Sequence, residues 1–205
     1  MSDETPVPQP TAIWLDSRSI RVLAHPLRSR LLGRLRVDGP ATATQLASRL
    51  GTNSGTTSYH LRKLAEVGLV IEASDTGDAR DRWWKAAHEF TSWSQDQFLD
   101  DPDDRAAATW LIGDHLRMNT AKTQAWLDVA QEWPREWVKA SDLSDYRLVL
   151  TADQTRALTR ELDQVVLRHR ALAELTSSGD DIPAEGEPTP VAVILHVHPW
   201  VNAPQ

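Results

Sequence analysis

"NSGTTSYHLRKLAEVGLV", residues 53–70, is the stretch on which the reading of the fold turns. It opens on small polar residues, becomes basic in its middle and ends on an apolar tail after Gly68. With residues placed about 100° apart around a helix, Thr57, Leu61, Leu64 and Ala65 share one face. Gly55, Thr56, Tyr59, Arg62 and Lys63 fall on or near the opposite face, with Ser58 and His60 at the flanks. Asn53 or Ser54 is the expected N-cap, and the helix is expected to end near Gly68. Such a helix packs one side on its neighbours and shows the other to something polar.

The flanking residues supply those neighbours. Thr42 and Gln45 have capping-box spacing at the head of a short helix running to Leu50, which Gly51 closes. Upstream, Pro26 suits the first turn of a helix whose buried stripe is Leu27, Leu31, Leu32 and Leu35, and Asp38-Gly39-Pro40 ends it. Asp16 or Ser17 caps a still earlier helix carrying Ile20, Val22 and Leu23. Downstream, "LVIEA" (69–73), "SDTGDAR" (74–80) and "DRWWKAA" (81–87) read as strand, turn and returning strand. In that second strand Trp83 and Trp84 should point to opposite faces, one of them into the core. Two short helices across a tight turn, followed at once by a hairpin, make a winged helix-turn-helix.

The strings "LAHPLRSRLLGRL" (23–35), "ATQLASRLG" (43–51), "TTSYHLRKLAEVGLV" (56–70) and "RDRWWKA" (80–86) resemble the ArsR-like winged-helix transcriptional regulators of prokaryotes. The likeness spans residues 16–87. It implies that helix 54–67 enters a DNA groove. The residues fit that use: small groups at the helix start allow close approach, and a recognition helix reads base edges with its N-terminal residues. Ser54, Thr56, Ser58 and Tyr59 are the candidates there, while Arg62 and Lys63 are placed to hold the phosphate backbone. The resemblance also assigns the wing cations Arg80, Arg82 and Lys85 to phosphate or minor groove, although Asp75, Asp78 and Asp81 interleave with them and repel the same groups.

Many relatives sense metals. The chain has no cysteine, which removes thiolate sites, disulfides and cysteine nucleophiles together. Asp114 and His115 are neighbours and diverge on a helix, His169 and Asp163 are poorly spaced, and His196 with His198 would supply two of zinc's usual four ligands. No metal and no cofactor is expected. Nor is an enzyme: there is no phosphate-cradling glycine loop or nucleophile motif, and Ser58 and His60 lie about 200° apart on their helix.

The net charge of −7 is unevenly spread. Residues 1–88 hold twelve Lys and Arg against nine Asp and Glu, or +3; residues 89–205 hold ten against twenty, or −10. Charge at the binding face, rather than the sum, sets attraction to phosphate. No apolar run reaches the roughly 18–20 residues that span a bilayer, and the acidic, proline-rich start "MSDETPVPQP" is unlike a signal peptide. A cytoplasmic protein without a membrane partner is expected.

Beyond His88 the character changes. Residues 103–133 form a long amphipathic pattern with Trp110, Leu111, Met118, Ala121, Ala125 and Trp126, which Pro134 interrupts. "DYRLVL" (145–150) reads as a short strand. Thr151 and Gln154 open a further helix carrying Leu158, Leu162, Val165, His169 and Leu172. Residues 176–190 read as a linker, and "VAVILHVH" (191–198) as a strand buried on at least one face. The expected organisation is a disordered tail (1–11), a winged helix-turn-helix DNA-binding domain (12–88) and a C-terminal dimerisation or effector domain (89–205). The fold class is mainly α, with an α+β second module containing a small β-sheet.

Six of the nine tryptophans lie in that second module: Trp93, Trp110, Trp126, Trp133, Trp137 and Trp200. At helical spacing they suit packing or dimer contacts, and an aromatic-rich region is also where a small organic effector could bind. The expected function is a DNA-binding regulator, more specifically a repressor, reading a pseudo-palindromic operator in double-stranded DNA as a homodimer. The competing expectation is a winged-helix module that binds another protein and not DNA.

Overall fold

The computed structural model describes residues 11–73, 82–177 and 189–201. The wing tip, with Arg80 and the acidic residues Asp75, Asp78 and Asp81, lies outside them, as do residues 1–10 of the expected tail and most of the expected linker.

Helix α1 (Ser17–Leu23) starts at Asp16, whose carboxylate accepts the Ser19 amide in a capping box. Helix α2 (Pro26–Val37) places its proline at the first position, where a missing N–H costs nothing, and the Nδ1 of its N-cap His25 accepts from the Leu27 amide. Thr42 and Gln45 close the capping box of α3 (Ala43–Leu50). Gly51 then takes the left-handed conformation, φ +63, that a tight exit requires. Asn53 caps α4 (Ser54–Ala65) through its side chain and the Thr56 amide. The helix stops three residues before Gly68, because Val67 and Gly68 bond back to Leu64 and Ala65 and Gly68 turns to φ +70.

Three strands beyond the expected hairpin complete the sheets. Strand β1 (Ala12–Trp14) pairs in parallel with β5 (Phe90–Ser92). Strand β2 (Ala41–Thr42) adds to the outer edge of β4 (Trp83–Ala86), which pairs on its other side with β3 (Val70–Glu72) in the antiparallel base of the wing. Thr11, counted with the tail, accepts the Glu89 and Phe90 amides and so anchors the parallel pair.

Leu31, Leu46, Leu61 and Leu64, one or two from each helix of the trihelical unit, are fully buried together with Leu69, Val70 and Trp84. Each such leucine contributes about 1.5–3 kcal/mol by leaving water. Trp84 is the inward tryptophan and Trp83 the half-buried one, as their alternation requires. The core does not end at His88: Phe98 and, from α5 (Pro102–Val129), Ala107, Ala108 and Leu111 belong to it. By packing, residues 10–124 form one compact unit and the residues from Ala125 onward belong to a second.

In the second unit, α6 (Arg135–Ala140) and α7 (Ala152–Ser177) are helical, with Thr151 and Gln154 in the expected reciprocal cap. The mainly helical class holds. The strands expected at 145–150 and 191–198 are not formed, because neither segment has a ladder partner among the described residues. Tyr146 is 80% exposed and Val149 97%, and the expected buried face of 191–198 is open instead, with Val191 at 69% and Val193 at 59%.

Candidate nucleic-acid interface

The recognition-helix candidates divide as the helical wheel requires. Thr57, Leu61 and Leu64 have no exposed surface, and the Thr57 hydroxyl also donates to the Asn53 carbonyl, which locks the first turn. Ser54, Tyr59 and Arg62 are exposed; Thr56, Ser58 and Lys63 are half-buried. The Arg62 Nε lies 3.2 Å from the Ser58 carbonyl, which holds the guanidinium stem along the helix and leaves its outer nitrogens to solvent. Lys63 reaches Glu66 at 2.9 Å and sits 5.9 Å from the centre of the Tyr59 ring.

Between α4 and the wing base lies an open groove of ≈ 340 Å³, lined by Thr42, Ala43, Thr44, Ser58, Arg62, Arg82 and Trp84. It brings together three segments: the start of α3 with its cap, the middle of α4, and the start of β4 with Arg82 just before it. Arg62 and Arg82 supply two positive charges, and none of the lining residues is acidic. Arg82 is also tied to Glu72 at 3.3 Å and lies over the Trp84 ring. Thr44 is a groove residue that the sequence reasoning missed. It is exposed at the second position of α3, where free helix N–H groups favour an anion, and its place two residues after an N-cap was the available signal.

His60 does not lie at a flank. It is buried, stacked on His25 of the α2 cap, with Tyr59 edge-on to its other side. Burial, followed by the His25 and Arg28 charges, holds its pKa below the ordinary histidine value. His25 is lowered by burial first and by Arg28 second. Arg28 spans the same cluster and donates from its Nε to the Val22 carbonyl. The Nδ1 of His60 has no hydrogen-bond partner among the described residues.

The tryptophans fall into separate groups. Trp93 and Trp110 pack against the core of the first unit. Trp126, Trp133 and Trp137 form an edge-to-face series with centroids 5.4 and 6.3 Å apart in the second. The Trp200 ring faces the Arg147 guanidinium at 5.5 Å. Among the described residues, no three His, Asp or Glu side chains converge in a way that could hold a metal, and no helix is long and apolar enough to cross a membrane.

Residues 23–72 match the family model described as "Helix-turn-helix domain". The match agrees with the helix, tight turn and helix formed by α3 and α4. The matched segment comprises α2 to α4 and the first wing strand, and it contributes Thr42, Ala43, Thr44, Ser58 and Arg62 to the lining of the open groove. Solved structures give weaker likenesses. One is the homodimeric winged helix-turn-helix DNA-binding domain of a possible ArsR-family transcriptional regulator from Mycobacterium bovis: 22% identity over 48% of this chain and 77% of that one, TM-score 0.32. Another is a possible transcriptional regulator for arsenical resistance, at 27% identity over 51% and 95%, TM-score 0.30. A third is a variant of ZitR from Lactococcus lactis, at 15% identity over 68% and 83%, TM-score 0.33. No curated protein matches the chain.

Proposed function

We propose that the protein is a DNA-binding transcriptional regulator of the ArsR-like kind, acting in the cytoplasm as a repressor on a pseudo-palindromic operator. One observation carries this reading: the outer face of α4 is open, with Ser54 and Arg62 exposed and Tyr59 50% exposed beside the groove that Arg62 and Arg82 line. Ser54, Thr56, Ser58 and Tyr59 meet base edges or adjacent phosphates; Arg62, Lys63 and Arg82 hold backbone. Arg80 has the same assignment by its place in the wing. Two copies, joined mainly through residues 89–205, present two such helices to half-sites about one helical turn apart. Occlusion of polymerase by the bound dimer is the repressive step.

The test is Arg62→Ala with Lys63→Ala in the full chain, with affinity for a selected operator followed against salt. Affinity falls on every sequence, and the salt slope becomes shallower by about 0.9 for each phosphate no longer neutralised. Unchanged affinity and slope would reject the assignment. The alternative, a protein partner on the same face, is favoured by the pairing of Lys63 with Glu66 and Arg82 with Glu72, which leaves less free positive charge for phosphate. Failure to retain any fragment in a genomic DNA selection would decide for it.

A further inference from the structure

We propose that residues 191–198 become a β-strand only between two copies of the chain, pairing antiparallel with the same segment of a second copy. The proposal rests on the dimer reading above and gives that dimer a specific seam. Residues 191–198 run without helix, turn or bend, and none of their amides makes a backbone hydrogen bond among the described residues. Five of the eight are Val, Ile or Leu, the branched types that suit a pleated surface. Along one side Val191, Val193 and Leu195 stand 69%, 59% and 44% exposed. Unmet backbone donors beside an apolar row are what a pairing edge presents.

The occupant follows from charge and symmetry. The segment holds no Asp, Glu, Lys or Arg, and so lacks the charges that edge strands use to repel their own kind. Two identical copies therefore meet with no like-charge clash, and an antiparallel pair about a twofold axis closes at two. The chain's own candidate partner, residues 145–150, does not take the place: the Arg147 guanidinium reaches the Trp200 ring, yet no ladder forms between the two segments.

The absence of cysteine gives a clean test. The native chain is first weighed by light scattering at micromolar concentration. Ala192→Cys, Val193→Cys, Ile194→Cys, Leu195→Cys, His196→Cys and Val197→Cys are then made singly in the full chain and oxidised mildly. A disulfide needs Cβ atoms about 3.5–4.5 Å apart, so cross-linking to dimer should peak at the one or two positions nearest the twofold axis and fall on both sides. Val193→Asp with Leu195→Asp should shift the mass toward monomer while helical circular dichroism stays unchanged. A native dimer with flat or absent cross-linking, or a double variant that remains fully dimeric, overturns the seam and leaves the dimer standing. A native monomer overturns both.

Discussion

The imidazole rings of His25 and His60 lie 4.5 Å apart, centroid to centroid, and tilted by 40°, so the cap of α2 rests on the buried side of α4. Arg28 and Tyr59 lie beside the pair, and among the described residues no carboxylate contributes to either histidine's electrostatics. Both rings are held below the ordinary histidine value of 6.5. The unfolded chain therefore takes up protons that the fold resists. The contribution to stability is fully present above about pH 6.5 and is lost as pH falls through that value toward the lowered folded-state values. Urea midpoints should drop between about pH 7 and about pH 5, and the slope should flatten in His60→Phe, which keeps a ring against His25. An equal slope in that variant would place the titration elsewhere.

Thr42 and Thr44, two residues apart, should separate stability from binding. Thr42 is buried and caps α3, so Thr42→Ala should cost about 1 kcal/mol in chemical denaturation. Thr44 is exposed on the groove, so Thr44→Ala should leave the denaturation midpoint in place. Removing one neutral hydrogen bond to phosphate would weaken DNA binding by roughly 2–10-fold, read by fluorescence anisotropy.

Leu111, fully buried, tests where the first unit ends. Leu111→Ala should cost about 2–5 kcal/mol and lower the melting of the helix-turn-helix itself. A fragment of residues 10–124 should melt cooperatively, and one ending at His88 should melt lower or not cooperatively. Equal melting of the two fragments would put the boundary at His88.

Gly51 holds φ +63 with open space around its missing Cβ, so the cost of a side chain there is conformational, not steric. Gly51→Ala should lose about 1 kcal/mol by thermal denaturation. Because this residue sets the exit of α3, DNA affinity should fall alongside.

What was legible in the sequence follows from where the chain closes its own interactions. α3 was readable to the residue, because Thr42, Gln45 and Gly51 are local signals at both ends. The inward face of α4 was readable because Thr57, Leu61 and Leu64 repeat at helical spacing. His60 was misplaced because its partner is His25, thirty-five residues away, and a wheel carries no such information. Strands β1, β2 and β5 are two or three residues long and exist only through distant pairing, so no periodicity announced them. At 145–150 and 191–198 local propensity did announce strands, but a strand also needs an edge to join, and within the chain there is none among the described residues.

The pairing of Lys63 with Glu66 and of Arg82 with Glu72 bears on how such a regulator would search a chromosome. A phosphate that approaches Lys63 or Arg82 has to displace a resident acidic group before it gains the cation, so random duplex is gripped more loosely there than it would be by a bare basic surface. Only a cognate sequence adds base contacts that repay the exchange. Among the roughly 10⁶–10⁹ competing positions of a genome, the molecule spends less time parked where it has nothing to read.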